Sequence, residues 1–243
     1  MSRTPASVEV AKDPEALAQR GAEWVADLAA NSRGDFAICL SGGSTPRRLY
    51  QLLAEPPYRD ALPWDRVHWF WGDERFVAWD HPDSNYGMVW KAMLSRAPVA
   101  PQNIHGIAGN GGLADAVRAY ERMLKSYYGS EALDPARPLF DINLLGLGPD
   151  GHTASLIPGT SALEERDRWV TEVVGARPEP RITLTYPVLE SSRHTAFLVA
   201  GADKRAILAR VLAGDHALPA ARVCPVGELI WFVDAMAREE LSA

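Results

Sequence analysis

The sequence contains few cysteines and no long apolar run, and both shortages exclude classes of protein. Cys39 and Cys224 are the only cysteines among 243 residues, and no Cys, His or carboxylate spacing resembles a metal site. We therefore expect no disulfide framework and no bound metal, but two reduced thiols packed in strands of a cytoplasmic protein. No apolar stretch approaches the ~20 residues of a membrane helix, and the N-terminus has no apolar segment typical of a signal peptide.

The chain also lacks an excess of basic residues. Its formal net charge is −6, which argues against nucleic acid or an anionic membrane as a partner, because both bind basic surfaces. A small anionic substrate stays open, since one or two Arg or Lys side chains can meet its charge locally.

Predicted strands and helices alternate along the whole chain. With 47% hydrophobic residues, 243 residues can bury a sizeable core, so we expect a single α/β domain over residues 1–243, although two small domains also fit this length. The alternation predicts a doubly wound, mostly parallel sheet with helices on both faces, a Rossmann-like fold. The predicted strands cover residues 8–10, 36–40, 67–71, 104–107, 142–147, 169–174, 181–185, 194–201 and 229–233, and the predicted helices cover 14–30, 46–54, 85–94, 113–128, 203–212 and 235–241.

Polar loops follow four of the predicted strands. They cover residues 41–45, 72–75, 146–152 and 201–204. In open α/β sheets, ligands bind outside the carboxyl ends of the strands. We therefore expect the four loops to share one cleft.

The loop at 146–152 matches a dinucleotide-binding pattern. Gly146, Gly148 and Gly151 fit G-x-G-x-x-G after a strand. A bound pyrophosphate would lie beside the Asp150 carboxylate, and charge repulsion argues against that interpretation. A glycine-rich turn with a surface histidine is a second interpretation.

A third interpretation makes the same loop catalytic. His152 is then a general base, and the neighbouring Asp150 fixes its tautomer. One or two helical turns are predicted over residues 153–156, with their N-terminus near His152. Such an N-terminus disfavours the imidazolium form, while the carboxylate favours it, so the base stays usable near neutral pH.

Residues 41–45, Ser-Gly-Gly-Ser-Thr, lie between a predicted strand and a predicted helix. Backbone N–H groups and the positive end of the helix dipole attract anions at such a turn. The turn has no Walker A lysine, so a nucleotide triphosphate is not implied. An ordinary turn with a serine at the helix N-cap is the alternative interpretation.

Charged residues stand at two further strand ends. Asp73, Glu74 and Arg75 follow the third predicted strand, where they indicate either a ligand site or a solvated turn with a weak surface ion pair. Lys204 lies in the first turn of the helix predicted over 203–212, where a cation opposes the helix dipole unless an anion binds nearby. An exposed lysine is the alternative.

Together, these stretches resemble the 6-phosphogluconolactonase family over nearly the whole chain. The first and fourth motifs below are shared with a wider superfamily that includes glucosamine-6-phosphate deaminases. GDER combined with GHTASL is similar to the lactonases, whereas the deaminases have a different acidic motif and a GHIAF type of sequence. The matching stretches are LSGGSTP at 40–46, WGDERFV at 71–77, DSNYG at 83–87, GLGPDGHTASLIPG at 146–159, RITLT at 181–185 and GADK at 201–204.

The resemblance implies hydrolysis of 6-phospho-D-glucono-1,5-lactone to 6-phospho-D-gluconate, the second step of the oxidative pentose phosphate pathway, without metal or cofactor. His152 is then the general base and Asp150 its orienting carboxylate. Because the chain has no G-x-S-x-G elbow, direct attack by water is simpler than an acyl-enzyme. The expected residues for binding the phosphorylated lactone are Ser41, Gly42, Gly43, Ser44, Thr45, Asp73, Arg75, Asn85, Gly148, Gly151 and Lys204, with Arg181 as a weaker candidate.

Two rival functions fit the same motifs. A deaminase or isomerase acting on glucosamine 6-phosphate would use the same phosphate cradle. A sugar-phosphate-sensing regulator would bind without chemistry and would carry a DNA-binding segment before the sugar domain. Because the predicted sheet begins near Val8, we expect no room for such a segment.

Overall fold

A computed structural model describes residues 6–238 of the chain, and its strands alternate with helices. The strands are β1 Ser7–Ala11, β2 Phe36–Leu40, β3 Val67–Trp71, β4 Asp73–Arg75, β5 Ile104–His105, β6 Phe140–Gly146, β7 Val170–Val173, β8 Arg181–Leu184, β9 Ser192–Val199 and β10 Glu228–Asp234. The α-helices are α1 Pro14–Ala30, α2 Ser44–Leu53, α3 Tyr58–Ala61, α4 Asn85–Ala92, α5 Leu113–Tyr128, α6 Tyr186–Glu190, α7 Arg205–Leu212, α8 Pro219–Arg222 and α9 Ala235–Arg238. Short 3-10 helices cover Leu94–Arg96, Pro101–Asn103, Ser161–Leu163 and Ala202–Lys204.

Seven strands form one sheet in the order β1-β10-β9-β6-β2-β3-β5, and every pairing in it is parallel. β6 lies at the centre, between β2 and β9. This arrangement confirms the doubly wound, mostly parallel, Rossmann-like fold predicted from the sequence. Because the strands run in one direction, their carboxyl ends lie along one edge of the sheet.

The central strands form where apolar residues occur in short continuous runs. All of β2 is buried, and so are Trp69, Phe70 and Trp71 of β3. Burial on both faces is typical of a parallel strand covered by helices. The predicted helix α1 is confirmed with its start: Asp13 caps it by accepting a hydrogen bond from Ala16 N at 2.7 Å.

Two buried tyrosines fix the carboxyl ends of neighbouring strands. Tyr50 of α2 accepts a hydrogen bond from Ser41 N at 3.0 Å and donates one to Ser41 O at 2.9 Å. Tyr120 of α5 makes the same pair of bonds with the backbone of Trp71, both at 2.9 Å. The helices therefore hold the backbone where β2 and β3 end.

A second, three-stranded antiparallel sheet lies beside these strand ends, in the order β4-β8-β7. The charged sequence Asp73-Glu74-Arg75 forms its strand β4, and Asp73 and Glu74 are only 5% and 1% exposed. The alternative of a solvated turn is therefore wrong. Hydrogen bonds from neighbouring segments satisfy both carboxylates and make their burial tolerable.

Several further differences from the predicted elements lie at strand and helix ends. The strand predicted over 104–107 is only Ile104–His105, and the helix predicted from 203 begins at Arg205 after a 3-10 turn. Helix α9 is described to Arg238, and the rest of the predicted helix, 239–241, lies outside the described residues.

Cys39 packs in β2 and is buried, as predicted, whereas Cys224 lies in the loop after α8. The prediction of a strand at Cys224 was wrong because Pro225 follows it and lacks the N–H group that a central strand uses. Among residues 6–238, no helix is long and apolar enough to cross a membrane. A single domain over 1–243 stays a prediction.

Candidate active site

The four polar loops meet at the carboxyl edge of the seven-stranded sheet, as expected, and line one cavity of about 260 Å³. Two of the residues predicted for the site, Asp150 and Gly151, do not line it. The other predicted residues do, namely Ser41, Gly42, Gly43, Ser44, Thr45, Asp73, Arg75, Asn85, Gly148, His152, Arg181 and Lys204.

A carboxylate and an arginine behind it hold His152 in place. His152 Nδ1 lies 2.5 Å from Asp150 Oδ1, and the backbone N–H of His152 donates to the same oxygen at 3.2 Å. Arg177 Nη2 donates to the other oxygen, Asp150 Oδ2, at 2.5 Å. Because Nδ1 donates to the carboxylate, Nε2 carries the lone pair that can accept a proton.

Asp150 is ionised at neutral pH although it is partly buried. Burial raises the pKa of its carboxyl, but the hydrogen bonds from His152 and Arg177 outweigh burial and lower the pKa to about 2. An ionised carboxylate at this position fixes the imidazole tautomer. It also stabilises the positive charge that forms when the imidazole takes a proton.

The backbone around His152 depends on two glycines and a turn. A Cβ atom at Gly148 would lie 2.0 Å from His152 Nδ1, so a side chain there would displace the ring. Gly151, with a φ of +79°, turns the chain against Leu218 and supports the loop from behind. Residues 153–156 form a turn, closed by a hydrogen bond from Leu156 N to Thr153 O, so the helix predicted there is wrong and its N-terminus does not act on His152.

Asp73 connects this turn to the rest of the site. Ser155 Oγ donates to Asp73 Oδ2 at 2.6 Å, and Ser155 N donates to Thr183 Oγ1 of β8 at 3.2 Å. Asn85 Nδ2 donates to the backbone carbonyl of Asp73 at 2.9 Å and to Asp73 Oδ1 at 3.3 Å. These tertiary bonds hold Ser155 in the turn and prevent the local sequence from continuing as a helix.

The loop at 41–45 leads into α2 without a side-chain cap. Gly43 is the N-cap residue, with a φ of +110°, and no side chain among residues 6–238 caps the first N–H groups of the helix. The alternative in which a serine caps this helix is therefore wrong, and the N–H groups stay available for an anion. A Cβ atom at Gly42 would lie 1.9 Å from Asn85 Oδ1, so this glycine allows Asn85 to approach the loop.

Three cationic side chains line the cavity. Arg75 and Arg181 are Cα partners across β4 and β8, so two like charges lie side by side. Arg75 Nε, Arg181 Nε and Ser41 Oγ are buried, and none has a hydrogen-bond partner among the described residues. Burial lowers the pKa of the Arg181 guanidinium, the Asp73 charge opposes this, and the Arg75 charge adds to it. Adjacent cations with unused donors favour a bound anion.

Lys204 completes this cationic group. Its side chain is 22% exposed and lies 3.8 Å from Asp203 Oδ2. The alternative of an exposed lysine is therefore wrong. Lys204 belongs to the 3-10 turn before α7, which brings it to the same edge as Arg75 and Arg181.

Comparison with known families gives a match that covers most of the chain. The model for glucosamine-6-phosphate isomerases/6-phosphogluconolactonase matches residues 12–231. The chain belongs to this family. The resemblance predicted from the motifs at 40–46 and 146–159 is thereby confirmed.

Relatives within the isomerase/lactonase family carry the lactonase name. The chain is 44% identical over 245 residues to a 6-phosphogluconolactonase of Nostoc sp., covering 97% of this chain and 98% of the relative. It is 45% identical over 215 residues to a 6-phosphogluconolactonase of Synechocystis sp., covering 86% of each. The crystal structure of 6-phosphogluconolactonase from Thermotoga maritima superposes with a TM-score of 0.82 at 29% identity, covering 95% of this chain and all of that one.

Family motifs alone do not reveal several side chains that support the site. Arg177 lies in the loop between β7 and β8, 27 residues beyond the carboxylate that it contacts, and no local pattern links the two. Ser155 and Glu74 stand inside recognised motifs, but only the folded chain gives their partners. Among residues 6–238, no group of three or more His, Cys, Asp or Glu side chains is placed to hold a metal ion.

Proposed function

We propose that this protein hydrolyses 6-phospho-D-glucono-1,5-lactone to 6-phospho-D-gluconate, the second step of the oxidative pentose phosphate pathway. One observation carries the proposal: the hydrogen-bonded pair of His152 and Asp150 meets one cavity that is also lined by Arg75, Arg181 and Lys204. The pair of His152 and Asp150 supplies a general base, and the three cationic side chains supply binding sites for an anionic substrate. The lactonase relatives at 44% and 45% identity support the same substrate.

The chemistry assigned to His152 is general-base activation of water. His152 Nε2 removes a proton from water as the water oxygen bonds to the lactone carbonyl carbon, giving a tetrahedral oxyanion. Collapse of this species breaks the bond between that carbon and the ring oxygen. The imidazolium then returns its proton to the leaving ring oxygen, so the ring opens to a carboxylic acid and a hydroxyl group.

Asp150 and Arg177 act through the imidazole in this proposal. The Asp150 carboxylate stabilises the imidazolium, and Arg177 keeps that carboxylate ionised and oriented. Loss of the Asp150 carboxylate therefore weakens His152 as a base but leaves the imidazole in the site. We assign Asp150 as the orienting carboxylate and His152 as the catalytic residue.

The anion-binding set supplies affinity for the phosphate and stabilises the oxyanion. It combines the first N–H groups of α2 with Arg75, Arg181 and Lys204. Gly42, Gly43 and Gly148 allow close approach of backbone and neighbouring groups. The remaining assigned binding residues are Ser41, Ser44, Thr45, Asp73 and Asn85, with Gly151 in a supporting position.

The decisive test is an assay with freshly prepared 6-phosphogluconolactone. Acid release above the spontaneous rate, followed with a pH indicator in weak buffer, is the expected result. Ammonia release from glucosamine 6-phosphate separates the rival deaminase, and saturable binding of both sugar phosphates without turnover would instead indicate a sensing module. Absence of any acceleration by purified, folded protein contradicts the proposal.

We also propose a cytoplasmic location and no nucleic acid or membrane partner. The net charge of −6 and the reduced cysteines support this placement. Fractionation of cells that express a tagged chain tests it, since recovery with membranes or in a secreted fraction would contradict it.

A further inference from the structure

Glu74 is a buried carboxylate between two residues that line the cavity. It is 1% exposed, lies in β4 between Asp73 and Arg75, and does not line the cavity. The family resemblance assigns it no role. Burying a carboxylate costs free energy unless hydrogen bonds compensate for it, so the hydrogen-bond partners of Glu74 indicate its role.

Both oxygens of Glu74 accept hydrogen bonds. Oε1 accepts from Arg75 N at 2.8 Å and from Asn85 N at 2.7 Å. Oε2 accepts from Tyr86 N at 2.7 Å and from Ser84 Oγ at 3.1 Å. Three of these donors are backbone N–H groups, which cannot act as acceptors. A proton on Oε1 would point only at N–H donors, and a proton on Oε2 would have the Ser84 hydroxyl as its one acceptor, so the ionised form fits the observed geometry best.

These four bonds join two segments that supply site residues. The first is Arg75, whose backbone N–H is one of the donors and whose Nη1 donates to Asp83 O. The second is the start of α4, where Asn85 turns its side chain to Asp73. Glu74 therefore fixes Arg75 and Asn85 relative to each other, and both line the cavity.

We infer that Glu74 is a positioning residue whose ionised carboxylate holds Arg75 and Asn85 in the arrangement that binds the phosphorylated substrate. The inference rests on the proposed function, since it specifies how that same site acquires affinity. Glu74 itself does not touch the substrate. Its loss should weaken binding more than it slows the chemical step at His152.

The electrostatic surroundings make this ionised state sensitive to pH. Burial raises the pKa of Glu74 to about 7, although the N–H groups of Tyr86, Asn85 and Arg75 oppose the shift and the Asp73 charge adds to it. Among the described residues, no Lys, Arg or His side chain forms an ion pair with Glu74. The charged residues next to it along β4 are Asp73 and Arg75, and Arg181 of β8 is the Cα partner of Arg75.

The pH dependence has opposite signs for affinity and for stability. A carboxyl whose folded pKa lies above its unfolded value contributes stability below the unfolded pKa, and this contribution is lost as pH rises through about 7. Acidification from pH 8 to 6 therefore protonates Glu74 and loosens the turn, while its contribution to stability increases. Substrate affinity should fall as this contribution rises, and the fall should be larger in wild type than in Glu74→Gln, because the substrate phosphate takes up a proton near pH 6 in both.

The experiment compares wild type with Glu74→Gln, Glu74→Asp and the control Asp141→Asn. Asp141 is a half-buried carboxylate at the amino ends of the strands, where it accepts from Ala37 N at 2.9 Å and pairs with Arg193. KM and kcat for the lactone, the Kd of 6-phosphogluconate by calorimetry, and Tm are measured from pH 6 to 8. Backbone amide shifts of Arg75, Asn85 and Tyr86 are followed by NMR over the same range.

We expect Glu74→Gln to raise KM and Kd about ten- to a hundredfold at pH 8, with kcat changed less than about threefold, because the amide places N–H groups against N–H donors. Glu74→Asp should recover part of the affinity and keep its pH dependence. Asp141→Asn should lower Tm and leave KM unchanged. In wild type, the three amides should titrate together near pH 7, and in Glu74→Gln they should not.

The inference is overturned if Glu74→Gln keeps KM and Kd within about threefold of wild type at pH 8. If Glu74→Gln does not fold, Glu74→Asp gives the test, since KM and Kd within about threefold of wild type in that variant would equally overturn the inference. If wild type binds 6-phosphogluconate but does not hydrolyse the lactone, the proposed function fails. The Kd values still decide the role of Glu74.

Discussion

His152 is the residue on which the proposed hydrolysis depends most directly. Its Nδ1 donates to Asp150, so the proton-accepting nitrogen is defined by one hydrogen bond. A prediction for this residue therefore separates chemistry from binding. Asparagine keeps a polar side chain of similar reach but cannot accept a proton from water near neutral pH.

We predict that His152→Asn lowers kcat about 10² to 10⁴-fold with little change in KM, which is the usual contribution of a general base. The matched control is His216→Asn, because His216 is exposed and does not line the cavity. Steady-state kinetics with the lactone, together with circular dichroism, provide the measurement. Near-normal turnover in a folded His152→Asn protein would remove His152 from the mechanism.

The cations at the site give a second prediction at this scale. A charge-assisted hydrogen bond to phosphate contributes about 1.5 to 3 kcal/mol, so Arg75→Ala and Lys204→Ala should each lower kcat/KM about ten- to a hundredfold. Against unphosphorylated glucono-1,5-lactone, wild type should already be slow, and removal of a cation that holds only phosphate should cost little more. Arg59→Ala is the control, since Arg59 pairs only with the exposed Asp60 among described side chains.

Equal losses on the two lactones would contradict the phosphate assignment for that residue. Arg75, for example, would then stabilise the carbonyl oxyanion or fix the turn through its bond to Asp83 O. The comparison of substrates is therefore more informative than the loss itself.

Single residues were predictable where the residue type defines the chemistry. The structure places His152 beside Asp150 and brings the cations at strand ends to one cavity, as expected from the sequence, while their roles stay predictions. Arg177 was not predictable, because its contact with Asp150 joins two loops that only the folded chain brings together. Glu74 was read as part of a polar turn because local sequence does not reveal the four donors around it.

At the scale of elements, the catalytic loop depends on the contact between Gly148 and the His152 ring. We predict that Gly148→Ala lowers kcat about tenfold or more, because a Cβ atom would lie 2.0 Å from His152 Nδ1 and the ring must move. Gly72→Ala is the control, since its Cβ atom would meet Cys39 Sγ at an ordinary distance of 3.5 Å. The measurement is kcat at saturating lactone with Tm for both variants, and an active Gly148→Ala protein would show that the ring tolerates displacement.

Buried strands were predictable because short apolar runs have few alternatives. β2 and β3 have the predicted bounds, 36–40 and 67–71. The helix predicted over 153–156 failed because Ser155 bonds to Asp73 and Thr183, two partners distant in sequence. Strand β4 was not predicted for a related reason. Its three charged residues have the local sequence of a turn, and they form a strand because they pair with β8. The intrinsic preference of a residue for helix or strand is overridden wherever a tertiary hydrogen bond fixes the backbone.

For the molecule as a whole, the arrangement of possible metal-ligating side chains predicts that activity does not require a metal ion. Among residues 6–238, no cluster of three His, Cys, Asp or Glu side chains could hold an ion, and the proposed reaction uses an imidazole base. Dialysis against a strong chelator should leave kcat and KM unchanged. Loss of activity that a single divalent ion restores would contradict this prediction, and a chelator-treated metalloenzyme serves as the positive control.

The order of strands in the sheet has a consequence for synthesis of the protein on the ribosome. The central strand β6 pairs with β2, and Ala37 N bonds to Asp141 across 104 residues of chain. The cavity needs residues from Ser41 to Lys204, so the early strands leave the exit tunnel long before their neighbours exist. Hydrolase activity should therefore appear only after Lys204 and β10 have left the exit tunnel, and a nascent chain stalled before them should be catalytically silent.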